Sequence, residues 1–301
     1  MNKTYKQQVE LLLKIIPTLS GIESFAIHGG TAINLYVLDL PRYSIDIDVT
    51  YTPIKSREES FVEIHKNLSI IKEKVKAIIP NVIVTEKPNK IYCTQKGIMV
   101  KIEVSGTKRG LIEPYEIKTL CAKAQNEFET SNKAKIVSIS QLYGGKITAA
   151  LDRQHPRDLF DIKLMFDFVT DFAQVKKGFL YCLLGGDRPI IESLSPNRID
   201  QRETIIKQFA GMTEVSFSYS DYEETREKLI NFINSNLTQQ DKEFLIAFEA
   251  GKDLSQFAEY QKYLQFPSVQ WKLQNINKLK EINPIKHRES VKKLANYLMK
   301  K

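Results

Sequence analysis

The sequence predicts an α+β chain: a small mixed sheet flanked by helices over residues 1–175, then a mostly helical segment over 176–301 that is basic at its end. Three observations carry that expectation. Short apolar runs with strand-like alternation are confined to the first half of the chain. They are interleaved with stretches of helical apolar spacing, so sheet and helices have to share one core. Beyond about residue 175 only the helical period remains.

Taken in order, residues 3–19 fit an amphipathic helix stopped by Pro17 and the Ser20-Gly21 pair. Residues 24–28 read as a strand, Gly29-Gly30 as a turn, and 31–38 as a helix opened by Thr31. Residues 44–51 alternate as a strand. REESFVEIHKNLSIIKEKVKAIIP at 57–80 is a strong helix with Phe61, Ile64, Leu68, Ile71 and Val75 on one side. NVIVTE, KIYCTQ and IMVKIEV read as strands, the last two joined by a hairpin turn at Lys96-Gly97. KAKIVSI at 133–139 is a further strand candidate.

Two helices follow, from Ser140 to Arg153 and from Pro156 to about Asp167; Pro156 suits a first helical position, where its missing N–H costs nothing. LLGGDRPIIESLSPN at 183–197 has the Gly and Pro content of a connector. TREKLINFINSNL, QQDKEFLIAFEAG, LSQFAEYQKYLQF and ESVKKLANYLMKK then show helical spacing. The domain boundary is expected near residue 175, and no internal repeat is visible.

With 301 residues, 42% apolar and 27% charged, the chain can bury a sizeable core. No apolar run approaches the ~20 residues of a membrane span. The early LLLKIIP segment is interrupted by Lys14, so it reads as an amphipathic helix and not a signal sequence, and a cytoplasmic location is expected. Cys93, Cys121 and Cys182 are odd in number and widely spaced, which defines neither a disulfide framework nor a zinc site. His28, His65, His155 and His287 are scattered singly, so any metal would sit on carboxylates. Of the net charge of +8, much lies at the end: residues 272–301 carry nine Lys or Arg against Glu281 and Glu289. Such an end suits an anionic partner such as RNA, and equally suits a solvated helix face.

FAIHGGTAINLYVLDLPRYSIDIDVTY, residues 25–51, carries the first chemistry. In a strand, side chains two apart share a face, so Asp46 and Asp48 stand side by side while Ile45, Ile47 and Val49 face a core. Two like charges on one face make sense around a cation, and paired oxygens suit Mg²⁺ that also holds substrate phosphates. Glu103, flanked by Ile102 and Val104, is the candidate third carboxylate, and three such ligands could hold two metals. At Gly29-Gly30-Thr31 the backbone can approach a phosphate at a helix start. It is neither a Walker loop nor a dinucleotide fingerprint. A Gly-Gly turn also caps helices for structural reasons, and paired aspartates also guard edge strands.

YGGKITAALDRQHPRDLFDIKLMFDF, residues 143–168, carries the second group: Lys146, Arg153, Arg157, Asp158 and Asp161 over two helices, with Asp158 and Asp161 on one face. The bland reading is a salt bridge with dipole partners. Gly144 and Gly145 inside a helical pattern cost up to about 1 kcal/mol each against alanine, so something approaches that backbone closely.

A GG[ST] turn between strand and helix followed by D-x-D resembles the polymerase-beta-like nucleotidyltransferases. With Lys146 on one helix, R-D-x-x-D on the next and FPSVQWKLQNINKL at 266–279, the chain resembles the AbiEii/AbiGii toxin family over nearly its whole length. Its mycobacterial relatives include the MenT toxins. The resemblance implies a Mg²⁺-dependent nucleotidyltransferase using an NTP, encoded with an AbiEi-type antitoxin, and in the MenT branch transferring nucleotides to the 3′ end of tRNA. It implies that Gly29, Gly30 and Thr31 hold triphosphate, that Asp46 and Asp48 bind Mg²⁺, that Lys146 meets a phosphate, and that Asp161 with Asp158 completes the essential set. Glu103 departs from the aspartate common at the third position, which puts its metal role in doubt. Arg42 and Ser44 match the family's R-x-S-x-D-x-D run, the arginine either contacting nucleotide or bracing the aspartates. Two other readings stay open: a protein acceptor, or an RNA-binding relative without turnover. A metal-dependent nuclease is disfavoured, since hydrolysis has no triphosphate to cradle.

Overall fold

A computed structural model describes residues 2–169 and 171–299; the expected helical end at Lys300 and Lys301 lies outside the described residues. Seven strands form one mixed sheet: β1 (Phe25–His28), β2 (Asp46–Tyr51), β3 (Ile83–Lys87), β4 (Lys90–Gln95), β5 (Ile98–Val104), β6 (Glu116–Thr119) and β7 (Lys133–Ile136). Their order is β3-β4-β5-β2-β1-β7-β6. The β2–β5 and β1–β7 pairs are parallel and the others antiparallel. Alternation does the positioning. Ile47, Val49, Ile102 and Val104 are at most 2% exposed, so Asp46, Asp48, Lys101 and Glu103, one residue out of phase, stand on the other face.

The helices are α1 (Lys3–Ile15), α2 (Gly29–Ala32), α3 (Arg57–Ile78), α4 (Ala122–Phe128), α5 (Ile139–Arg153), α6 (Pro156–Phe168), α7 (Ala173–Leu184), α8 (Ile190–Leu194), α9 (Arg202–Thr204), α10 (Tyr219–Asn236), α11 (Gln239–Glu249), α12 (Gln261–Leu264), α13 (Pro267–Ile282) and α14 (Pro284–Met299). Ser56, Ser218 and Thr238 open α3, α10 and α11 with reciprocal capping boxes, which fixes those starts locally.

Five elements differ from the sequence expectation. The helix after the glycine turn starts at Gly29 and not Thr31, with His28 as its N-cap, and it widens into a π-helical stretch at Ile33–Val37. β6 and α4 carried no readable period; β6 is a four-residue edge strand with Ile117 66% exposed, so no buried face marks it. The expected connector contains α8. The expected helix over 254–266 is broken into a 3₁₀ turn at Ala258–Tyr260 and the short α12.

Residues 1–142 and 203–217 form one compact unit, and residues 143–202 and 218–301 the other. The expected boundary near residue 175 therefore falls inside the second unit, and the actual change of unit comes within α5. Gly144 shows why: a Cβ there would collide with the backbone of Gly178 and Phe179, so the middle of α5 is packed directly on α7. In the first unit the sheet carries the core. The returning segment 203–217 is tied to it where Tyr43 N–H donates to the Met212 carbonyl at 2.8 Å and Thr213 Oγ1 to the Pro41 carbonyl at 2.8 Å.

Candidate active site

On the polar face of the sheet, register lines up four side chains across neighbouring strands: His28 pairs with Asp48, Asp48 with Glu103, and Glu103 with Lys90. One step along, Asp46 pairs with Lys101. Asp46 and Asp48 are half-buried. Among the described residues the Asp48 carboxylate has no hydrogen-bond or ion-pair partner, an arrangement that costs free energy unless water or a cation completes it.

The glycine turn is built against that carboxylate. Gly29 adopts φ +72°, and a Cβ on it would lie 2.5 Å from an Asp48 carboxylate oxygen. A Cβ on Gly30 would lie 2.8 Å from Arg42 Nη2 and 2.9 Å from Ser44 Oγ. Neither position has room for a side chain, and Gly29 also needs its left-handed backbone. Thr31 is fully buried; its hydroxyl donates to the Asp46 carbonyl at 2.5 Å and lies 3.1 Å from Ser44 Oγ. The threonine side chain thus ties the turn to β2, and what this turn can offer a ligand is backbone. Arg42 is 3% exposed, donates to the Tyr43 carbonyl at 2.9 Å and packs behind Gly30, which is a bracing position.

Glu103, expected as a third metal oxygen, is otherwise engaged. Lys90 Nζ lies 2.8 Å from its Oε1 and Lys101 Nζ 2.7 Å from its Oε2. Burial by itself would raise its pKa, but these two ammonium groups hold it below the usual carboxylate range. Lys101 is the mirror case. Burial disfavours its charge, yet the Glu103 hydrogen bond and the fields of Asp46, Glu103 and Asp48 hold its ammonium above the ordinary lysine range. Accordingly, no group of three His, Cys, Asp or Glu side chains stands ready for a metal among the described residues. The two other carboxylates on this face are those of Asp46 and Asp48, both half-buried.

The second predicted group lies in the second unit and is closed. Lys146 Nζ sits 2.9 Å from Asp158 Oδ1 and 2.9 Å from Asp161 Oδ2, with the three side chains 6%, 2% and 0% exposed. Arg153 adds Nε at 2.5 Å and Nη2 at 3.0 Å to Asp158. Burial pushes Asp158 up, and Lys146 and Arg153 more than reverse it, holding the acid far below its usual range. His155 caps α6 by accepting from Arg157 N–H at 3.1 Å, so the R-D-x-x-D run starts the helix that aims both acids at Lys146.

A cavity of about 750 Å³ in the second unit is lined by Asp152, Gln154, Arg188, Asn197, Lys293 and Tyr297, among others, and by none of the predicted site residues. Its Arg188 is already paired with Asp152 and Glu192. The Asp48 carboxylate, without a hydrogen-bond or ion-pair partner among the described residues, lies outside this cavity. Sequence reasoning missed His28, Lys90 and Lys101. The Lys101-x-Glu103 spacing was a signal for one of them, because residues two apart in a strand share a face.

A model of the family described as "Nucleotidyl transferase AbiEii toxin, Type IV TA system" matches residues 11–275. Among solved structures the fold is similar to MenT4, a nucleotidyltransferase toxin from Mycobacterium tuberculosis H37Rv, with a TM-score of 0.61 at 15% identity, covering 91% of this chain and 92% of that one. No curated protein matches the sequence.

Proposed function

The chain belongs to the AbiEii nucleotidyltransferase toxin family, and on that premise we propose that it moves a nucleoside monophosphate from an NTP to the 3′-terminal hydroxyl of an RNA, tRNA first among the candidates, with Mg²⁺ as cofactor. The acceptor oxygen forms the new bond to the α-phosphorus, the bond to pyrophosphate breaks, and the hydroxyl proton leaves to solvent. The observation that carries the reading is the Asp48 carboxylate, unpartnered and pressed against a glycine turn that has no room for a Cβ.

Asp46 and Asp48 offer the hard oxygen donors that Mg²⁺ prefers, and they would hold it. Bound there, the ion neutralises charge that develops on phosphate oxygens. The protein's own part is positioning and electrostatics. Gly29 and Gly30 let triphosphate come within reach of backbone amides, while Thr31, Arg42 and Ser44 hold that turn against β2. Lys146, 2.9 Å from both Asp158 and Asp161, would meet a phosphate on the family resemblance alone.

Lys278, Lys280, Lys286, Arg288, Lys292 and Lys293 on α13 and α14 are exposed and would contact the acceptor's backbone. Lys272 is spent on the fold instead, being 8% exposed and donating to the Gly186 and Arg188 carbonyls. The toxin reading brings an AbiEi-type antitoxin encoded alongside. No helix among the described residues is long and apolar enough to cross a membrane.

The test is transfer of label from each of four NTPs to total RNA and to total protein. Label on RNA that Asp48→Asn abolishes, in a variant that still folds, is the expected result. Label found only on protein would replace the acceptor, and unimpaired transfer by Asp48→Asn would remove the metal role.

A further inference from the structure

On β2, β4 and β5 the polar face holds three carboxylates and two ammonium groups, and one of those ammoniums is more than Glu103 alone requires. Lys90 reaches Glu103 across the β4–β5 pair, and that contact alone would neutralise the glutamate. Lys101 binds the other oxygen of the same carboxylate at 2.7 Å and stands opposite Asp46, with its side chain 26% exposed. A second lysine on an acid that is already paired adds little to stability at this exposure. It does place a fixed positive charge in the field of Asp46 and Asp48, on the face where the glycine turn opens.

We propose that Lys101 is a substrate-binding residue: its ammonium, held by Glu103, meets the triphosphate beside a single divalent cation on Asp46 and Asp48, and Glu103 is a positioning residue and not a metal ligand. The proposal rests on the nucleotidyltransferase reading of the paired aspartates. A site with three carboxylate ligands would balance its charge with two divalent ions. Here both Glu103 oxygens are occupied by ammonium groups, and Lys101 carries charge that a second ion would otherwise bring. An ammonium is a compact point charge with three donors, suited to phosphate oxygens without fixed geometry.

The experiment counts Mn²⁺ bound per chain by electron paramagnetic resonance and measures affinity for a non-hydrolysable NTP analogue by calorimetry. It uses the full chain and its Lys101→Gln, Lys101→Arg, Glu103→Gln and Asp48→Asn variants. The wild type takes up one Mn²⁺ per chain in the presence of the analogue. Glu103→Gln keeps Mn²⁺ affinity within about twofold, whereas Asp48→Asn abolishes it. Lys101→Gln weakens the analogue by about tenfold to a hundredfold, the worth of one charge-assisted hydrogen bond, and leaves the Mn²⁺ count at one. Lys101→Arg, which keeps the charge, stays within about threefold of wild type.

Two Mn²⁺ per chain, loss of Mn²⁺ in Glu103→Gln comparable to Asp48→Asn, or undiminished analogue binding by Lys101→Gln each overturns the proposal while leaving the enzymatic reading intact. A wild-type chain that takes up neither Mn²⁺ nor the analogue removes that reading, and this proposal with it.

Discussion

Two carboxylate pairs, one in each unit, have the same chemistry and opposite surroundings. Asp46 and Asp48 lie half-buried on a sheet face, and the Asp48 carboxylate has no partner among the described residues. Asp158 and Asp161 are 1% and 0% exposed and close around Lys146, with Arg153 on the rim. Interaction between charges grows as water is excluded. A buried pair of acids must therefore be neutralised by the fold itself, while a half-solvated acid can be stabilised by water instead. The contrast separates carboxylates closed around a lysine from carboxylates that stay half-exposed.

Removing the cation from the closed cluster is the strongest way to break the contrast. Lys146→Met removes the ammonium shared by two buried carboxylates, leaves Asp158 to Arg153, and is expected to cost about 3–5 kcal/mol of folding stability in denaturant titration. A loss under ~1 kcal/mol would mean that the cluster is wetter than its burial indicates. Acid attacks the same cluster. The folded-state pKa of Asp158 is depressed, so its contribution is fully present above the unfolded value of about 4 and is lost as pH falls through and below it. Thermal midpoints measured from about pH 6 down to about pH 2 should drop for the wild type, and drop less for a chain in which Asp158 is already Asn.

Next in size is Gly144→Ala. Its Cβ would meet the backbone of Gly178 and Phe179, which cannot yield as a flexible side chain does, so a loss of about 1–3 kcal/mol is expected in the same titration. The adjacent Gly145→Ala, whose Cβ would find only Cys182 Sγ at 3.9 Å, is the control and should be neutral or slightly stabilising. The smallest effect belongs to the open cluster. Asp48→Asn removes a charge with no hydrogen-bond or ion-pair partner among the described residues and should leave stability within about 0.5 kcal/mol of wild type, on the favourable side if repulsion from Asp46 is relieved. A marked loss of stability would show that Asp48 is a structural acid after all.

Elements whose signal is local were legible. The apolar stripe of α3 and the Lys96-Gly97 hairpin turn, both residues at positive φ, stand where the sequence puts them. Elements without a buried face or a cap were not, as β6 and α4 show. In the candidate site, D-x-D, the glycine pair and Lys146 with its two aspartates were visible as types and spacings. Their condition was not: Thr31 turned inward, Glu103 claimed by two lysines, and Lys272 committed to carbonyls are all outcomes of packing.

The sequence by itself determined the family, the alternation that sets Asp46 and Asp48 on one face, and the glycine pair that turns the chain beside them, because each of these depends on neighbours a few residues apart. Tertiary structure alone decided which acids keep their charge free. Strand register brings Lys90, Lys101 and His28 beside the aspartates, and helix packing shuts Asp158 and Asp161 around Lys146. Whether a carboxylate is neutralised depends on what lies within a few ångströms in space, and those partners come from distant parts of the chain.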